Sequence, residues 1–265
     1  METLKTDFTH LYIDITDKCN MRCNICFPND KFEIIDLSYF EEVCKRLEKR
    51  KLMRFIGGEP TCEPKLFDYI RIARKYGHLV SFSTNGLKLS DESFTKKLPN
   101  NMFIHYSMNG GIDDNVYKII DNKCVLDKKL AGLETLERLN FKNICLGAII
   151  VRGINETTIT NLIDLSRKFK CVKHIHFRNA LAVGRNKFSQ VKPYSLDELN
   201  KYVEIRKKDY FTVRDCTKKC CVRFRADGIN YSLMQWPAPA CFYRGRLLKD
   251  FKFQQYFEHM MENYK

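Results

Sequence analysis

The sequence predicts an α/β protein: a partial (β/α)6 TIM-like barrel followed by a small cysteine-rich C-terminal appendage. Three observations carry that prediction. Short β-rich runs alternate six times with longer amphipathic stretches. Successive β–α units imply parallel strands with right-handed crossovers, and their natural closure is a barrel or an open part of one. After about Tyr210 the alternation stops, and cysteines and turn residues take over.

In order, LYIDIT over 11–16 is the first strand, and LSYFEEVCKRLEK over 37–49 is its helix. LMRFIGG leads into a helix near KLFDYIRIARKYG that Pro64 opens. LVSFSTNG precedes a short helical segment, and MFIHYSMNGG precedes a less regular stretch that runs to about Cys124. KKLAGLETLERLN is the helix before the fifth strand, NICLGAIIVRGIN, and TTITNLIDLSRKFK is the helix after it. VKHIHFRNALAVGR supplies the sixth strand, with SLDELNKYVEIRKK as the following helix. Six units fall short of the eight in a full barrel, so an open side is expected. The expected division is a barrel over 1–209 and an appendage over 210–265. No internal repeat or low-complexity segment interrupts it.

At 265 residues, 44% hydrophobic and 29% charged, the chain has the composition of a globular protein with a sizeable core. No apolar run approaches the roughly 18–20 residues of a membrane span. The N-terminus, METLKTDFTHLYID, lacks the basic-then-apolar pattern of a secretory signal. A cytoplasmic protein without a membrane partner is expected. In a reducing compartment, the 12 cysteines read as metal ligands or redox groups where clustered, and as small core residues where isolated, as at Cys44. The net charge of +14 is spread along helix faces with acids between, which suits solvated surfaces better than a nucleic-acid interface. A positive field nevertheless attracts any anion, a nucleotide included.

The densest chemistry lies just after the first strand. CNMRCNIC carries Cys19, Cys23 and Cys26 in one loop at a strand C-terminus, where barrel folds gather functional residues. Structural zinc wants four ligands, and no partnered pair lies nearby, although a distant fourth ligand would complete such a site. Three thiolates also suit a [4Fe–4S] cluster with one iron left open for a small molecule.

TDKCNMRCNIC resembles the CxxxCxxC loop of radical S-adenosylmethionine (radical SAM) enzymes, and the likeness extends over residues 11–185. GGEP (Gly57, Gly58, Glu59, Pro60) follows the second strand and STNG (Ser83 to Gly86) the third, in the order the family uses to hold its cofactor. IIVRGINE, with Val151, Gly153 and Glu156, partly matches the adenine-side pattern. The resemblance implies a [4Fe–4S] cluster on Cys19, Cys23 and Cys26, with S-adenosylmethionine bound at the open iron. It implies cofactor contacts from Gly57, Gly58, Glu59, Ser83, Asn85, Ser107 and Val151. It further implies a low-potential electron donor such as flavodoxin or ferredoxin, and hydrogen abstraction by a 5′-deoxyadenosyl radical. Cys62, just after GGEP, reads more readily as a buried thiol.

A second group, Cys216, Cys220, Cys221 and Cys241, resembles the twitch or SPASM region that carries an auxiliary [4Fe–4S] cluster. The nearest likeness is to the molybdenum-cofactor GTP cyclase, through Arg223, Arg225 and the ADG turn at 226–228. The loop before Cys241 is longer, the spacing CTKKCC is irregular, and no terminal glycine pair follows, so GTP cyclisation is not assigned. A full SPASM module would need further cysteines after Cys241. Four-thiolate zinc is the alternative, and Cys124, Cys145 or Cys171 are further ligand candidates. Four ligands would suit an electron-accepting cluster, and three a substrate-binding one.

Arg152, Arg178 and Arg185 are candidates to pair with a carboxylate or phosphate. His174, His176, Tyr106 and Met108 read first as core residues, and Trp236 as a neighbour of the auxiliary cluster. The favoured substrate is a ribosomally made peptide undergoing oxidative or cross-linking modification. The ten residues ahead of the first strand leave no room for a leader-binding domain. The alternative is a dehydrogenase or epimerase of a small polar metabolite such as an aminocyclitol or sugar, with a spare cysteine as hydrogen donor. A non-catalytic metal-binding or nucleic-acid-binding protein is a third reading, but it leaves GGEP and STNG unexplained.

Overall fold

Period-two apolar runs capped by glycine or polar turns become strands, and the amphipathic stretches between them become helices. The computed structural model describes residues 2–28, 33–211, 220–235 and 243–263. Among these the chain forms β1 (His10–Thr16), α1 (Leu37–Arg46), β2 (Leu52–Gly57), α2 (Leu66–Lys75), β3 (Leu79–Thr84), α3 (Glu92–Thr95), β4 (Phe103–Ser107), α4 (Asp114–Ile120), α5 (Leu126–Arg138) and β5 (Ile144–Ile150). It continues through α6 (Thr157–Lys168), β6 (Val172–Asn179), α7 (Leu196–Tyr202), β7 (Asp209–Tyr210), β8 (Cys221–Ala226), β9 (Ile229–Met234), β10 (Arg244–Leu247), β11 (Phe253–Gln255) and α8 (Tyr256–Asn263). No described helix is long and apolar enough to cross a membrane.

Every described strand joins one sheet, in the order β11-β10-β1-β2-β3-β4-β5-β6-β9-β8-β7. The expected six parallel strands, β1 to β6, lie side by side and the sheet stays open. The C-terminal segment adds to them. β10 pairs parallel with β1, and β9 pairs parallel with β6, so the parallel block is eight strands wide. Antiparallel β11 borders one side, and β8 and β7 the other. The expected boundary at 209/210 therefore falls inside β7. The described part of 210–265 extends the barrel sheet at both edges.

The two faces of the sheet differ. Leu11, Ile13, Met53, Phe55, Phe82, Ile104, Leu146, Ile175 and Phe177 point to the helices and are buried against Phe40, Val43, Tyr69, Leu133 and Leu162. The intervening residues, among them Arg54, His105, His176 and Arg178, remain partly accessible and line an interior cavity. The core thus lies between sheet and helices, and the barrel interior is left for a ligand.

Helix starts follow local capping. Asp36 accepts from Tyr39 N at 2.9 Å, and Ser195 with Glu198 forms a reciprocal box at α7, each cap contributing about 1 kcal/mol. The stretch expected to be irregular before Cys124 contains α4. Its cap Asp113 accepts from Asn115 N at 2.8 Å, and Val116, Tyr117 and Ile120 make its buried face. Seven residues were too short a run for periodicity to show.

Candidate active site

The cavity, about 1110 Å³, runs between the parallel strands from the loops at their C-terminal ends to Thr9, His10 and Leu52 at their N-terminal ends. At its mouth lies the cysteine loop. The apolar residues of CNMRCNIC anchor that loop: Met21 is buried with Leu87 and Tyr117, and Ile25 with Ile149 and Val151. Asn24 fixes its middle, its N donating to Ile120 O at 2.9 Å and its Nδ2 to Ile119 O at 2.8 Å. The interleaved Cys19, Cys23 and Cys26 are left facing the cavity, which all three line. Arg185, on the loop after β6, donates to Cys26 Sγ at 3.4 Å.

Burial pushes the Cys19 thiol up to about 11 and the Cys23 thiol higher still, with neighbouring carboxylates and thiols adding to the shift. Thiolates there need a positive partner, which iron supplies on binding. Among the described residues, no three cysteine, histidine or carboxylate side chains meet as ligands of a single ion. Three thiols lining one cavity are a donor set of the kind that iron–sulfur groups take.

The glycines of GGEP are required by a close approach of backbones. Gly58 N donates to Thr16 O at 2.8 Å and Glu59 N to Lys18 O at 2.7 Å. A Cβ on Gly57 would lie 2.1 Å from Thr16 O, and one on Gly58 2.3 Å from Lys18 O. Gly57 also holds φ +127°, in the region that favours glycine. Both line the cavity, so the same lack of side chain leaves the shelf bare for a ligand.

Glu59 is buried, and its carboxylate ties the loops after β2 and β3 together. Oε1 accepts from Thr61 N (3.1 Å), Thr61 Oγ1 (2.8 Å) and Thr84 Oγ1 (2.6 Å), and Oε2 from Asn85 N (2.6 Å). Burial raises its pKa, and these donors oppose the rise. The sequence implied a cofactor contact for Glu59, and the contacts it displays are ones that hold the loops. Asn85 continues the chain of contacts, donating through Nδ2 to Asn20 Oδ1 in the cysteine loop at 2.7 Å. Ser83 and Ser107 line the cavity at the ends of β3 and β4. Val151 sits apart from the cavity lining, buried with Ile25, Ile149 and Ala180.

Sequence reasoning missed a fully buried lysine. Lys129 Nζ, from α5, donates to Asn85 O at 2.7 Å and Ser107 O at 2.8 Å, clamping the ends of β3 and β4 together. Burial lowers its pKa, and Asp121, Cys23 and Glu59 counter the shift. Asn109 was missed as well. It donates to Asp121 Oδ1 at 3.0 Å, accepts from Ile149 N at 3.0 Å, and so joins β4 to β5 at the rim.

Deeper in the cavity the lining becomes cationic. Arg54 on β2, Arg178 on β6, Arg223 on β8 and Arg244 on β10 all reach it, with His10, His105 and His176. Burial, reinforced by the arginines, drops His10 to about 3 and pushes His105 and His176 well below the usual histidine range, so all three are neutral. Asp14 forms a buried ion pair with Arg246. Burial raises the Asp14 carboxyl to about 6 against the pull of Arg246. His174 and His176 line this cavity too, whereas Tyr106 and Met108 are core residues as expected. Of the candidate arginines, Arg178 reaches the cavity, and Arg152 instead pairs with Glu198 at 2.8 Å over the Tyr194 ring.

In the second cysteine group, Cys216 and Cys241 lie outside the described residues, as does Trp236. Cys220 and Cys221 are half-buried at the start of β8, packed beside Val183, Met234 and Met260. Cys145 and Cys171 are buried and Cys124 is exposed.

A sequence model of the Radical SAM superfamily matches residues 13–166, from β1 through most of α6. A 7,8-dihydro-6-hydroxymethylpterin dimethyltransferase of Methanocaldococcus jannaschii is 30% identical over 184 residues, 65% of this chain and 36% of that protein. A GTP 3′,8-cyclase of Thermodesulfovibrio yellowstonii is 24% identical over 215 residues, 77% of this chain and 66% of that one. The chain thus matches about a third and about two-thirds of these relatives' lengths. Among solved structures, Streptococcus suis SuiB bound to S-adenosylmethionine superposes with a TM-score of 0.64 at 13% identity, covering 95% of this chain and 64% of that one. This last likeness is one of fold.

Proposed function

The chain belongs to the radical SAM superfamily, whose enzymes use a [4Fe–4S] cluster and S-adenosylmethionine, and from that premise we propose that it abstracts a hydrogen atom from a small polar molecule held inside the sheet. The observation that carries this reading is one continuous cavity with Cys19, Cys23 and Cys26 at its mouth and polar strand side chains below. The cluster and S-adenosylmethionine, once bound, supply reductive cleavage to a 5′-deoxyadenosyl radical, fed by a low-potential donor such as flavodoxin or ferredoxin.

The chain's own residues do the positioning. Cys19, Cys23 and Cys26 would hold the cluster, and the bare shelf of Gly57 and Gly58, with Ser83 and Ser107, would receive the methionine and ribose. Val151 backs the adenine side through its packing with Ile25 and Ile149. Glu59, Asn85 and Lys129 lock the loops that carry these groups, so their geometry is fixed before substrate arrives.

The interior position of the polar groups favours a metabolite over the peptide expected from sequence. His10, Arg54, His105 and His176 lie on strands below the loops, a placement that suits a small molecule or a single inserted side chain. Small heterocycles named for the relatives, a pterin and GTP, support the same direction. For the second cysteine group we propose an auxiliary [4Fe–4S] cluster drawn from Cys216, Cys220, Cys221 and Cys241. It would accept an electron from substrate and make the net reaction an oxidation.

Anaerobic reconstitution with iron and sulfide, followed by reduction, is expected to yield 5′-deoxyadenosine, and absence of that product from well-loaded protein would overturn the enzyme reading. Metal analysis is expected to give about eight irons per chain for two clusters, and about four would remove the auxiliary one. Deuterium transfer into 5′-deoxyadenosine from a labelled small-molecule extract, against a labelled peptide pool, decides the substrate class.

A further inference from the structure

We propose that Arg54 and Arg244 form an oxyanion-binding floor, with Arg178 above it on the side of the cysteine loop, and that the substrate carries two or more negative charges as phosphate or carboxylate groups at the end remote from its reacting carbon. This deepens the radical SAM reading above and rests on it.

The geometry begins with strand register. Tyr12 on β1 is paired with Arg54 on β2, and His10 on β1 with Arg244 on β10, so two arginines flank one strand. Arg178 reaches the same cavity from β6, its guanidinium 4.8 Å from the Phe27 ring centroid. The three converge, since each depresses the pKa of both His105 and His176, which stand edge to face at 5.5 Å. At Tyr12, burial works to raise the phenol, and Arg244, Arg54 and Arg178 outweigh it.

Arg54 is held by hydroxyls and ring faces. It donates to Ser81 Oγ and Tyr12 Oη, each at 3.3 Å, and lies over the rings of Tyr12 and Phe103, with no ion pair to a described residue. Of the four carboxylates that line the cavity, Asp14 pairs with Arg246, Glu59 takes its four donors and Asp121 accepts from Asn109, while Asp7 lies just ahead of β1. Guanidinium forks match phosphate and carboxylate oxygens bidentately.

Depth fixes where that charge sits. Arg54 precedes the Gly57 shelf by three strand residues, about 10 Å at ~3.3 Å per residue. A substrate anchored on the floor therefore spans about 10 Å to present a C–H bond beneath the shelf.

The test is equilibrium binding to the cluster-loaded chain by calorimetry, with tripolyphosphate and citrate as probes and myo-inositol as neutral comparison. Submillimolar binding of tripolyphosphate is the expected result for a phosphate-bearing substrate, and of citrate alone for a carboxylate one. Arg54→Gln and Arg244→Gln are each expected to weaken that binding about tenfold to a hundredfold, and added salt to weaken it further. Failure of both anions to bind more tightly than myo-inositol overturns the proposal, as does unchanged affinity in both variants. Far-UV circular dichroism confirms that the variants are folded, and Arg54→Lys, which keeps charge but loses the fork, is expected to recover part of the affinity. Because the readout needs no turnover, an absence of 5′-deoxyadenosine would sink the radical reading and leave this result standing.

Discussion

At the mouth of the cavity, neighbouring loops hold one another through backbone amides and short side chains. At the floor, the same sheet presents long charged and aromatic side chains from strand interiors. At the mouth Glu59 takes four donors, Lys129 reaches two carbonyls, and the glycines permit contacts that a Cβ would forbid. At the floor, cations gather beside neutral histidines. The mouth is held by short-range contacts between loops, whereas the floor places charged and aromatic side chains on the cavity wall. Substitutions at the mouth should cost cofactor chemistry and stability, and substitutions at the floor should cost substrate binding with little effect on folding.

The largest contrast is expected for Cys23→Ala. Production of 5′-deoxyadenosine should fall below detection, while tripolyphosphate affinity stays within about twofold. Parallel loss of both would show that the two ends are not separable.

Lys129→Met removes two charge-assisted hydrogen bonds from buried carbonyls, and urea unfolding should register a loss of about 3 kcal/mol. A smaller loss is expected for Glu59→Gln, about 2 kcal/mol, because the amide keeps one acceptor and turns a donor toward Thr84 or Asn85. S-adenosylmethionine affinity should fall with it, and an unchanged affinity would remove Glu59 from the cofactor-holding set. At the floor, Arg54→Gln should leave unfolding free energy within about 1 kcal/mol of the parent despite its effect on anions.

The mildest effect concerns pH. All six histidines have folded pKa values below the ordinary 6.5, with burial the leading cause. A lowered folded pKa means that the contribution is fully present above the unfolded value and is lost as pH falls toward the folded one. Asp14 and Glu59, both raised by burial, act in the opposite sense. Six groups against two leave the unfolded chain binding more protons, so the melting temperature should decline from pH 7.5 to about 5.5. His105→Gln and His176→Gln should flatten that slope, and a rise in stability over this range would contradict the buried, neutral histidine cluster.

Much of the mouth was legible because its chemistry is local. Cysteines three and two residues apart need only one loop, and GGEP and STNG each occupy one strand end. Glycine also announced a tight place, although the close partner turned out to be the backbone at Thr16 and Lys18. Lys129 escaped notice because an amphipathic helix carries many lysines, and only packing reveals that this one points inward. The floor had a faint signal in LMRFIG, FIHYS and HIHFRN, where a polar residue alternates with apolar ones. Alternation identifies a strand with two unlike faces, but it does not say whether the polar face meets solvent or a cavity.

By itself, then, the sequence determined the parallel β–α succession and the three-cysteine loop with its glycine shelf, because these follow from spacing within short stretches of chain. Tertiary structure decided what lies beneath them. Arg244 reaches the neighbourhood of Arg54 only because β10 returns to pair with β1, and β9 closes on β6 at the far side of the block. Those pairings join the end of the chain to its beginning through backbone hydrogen bonds that specify no side chain. No local pattern could have placed the arginines in one cavity.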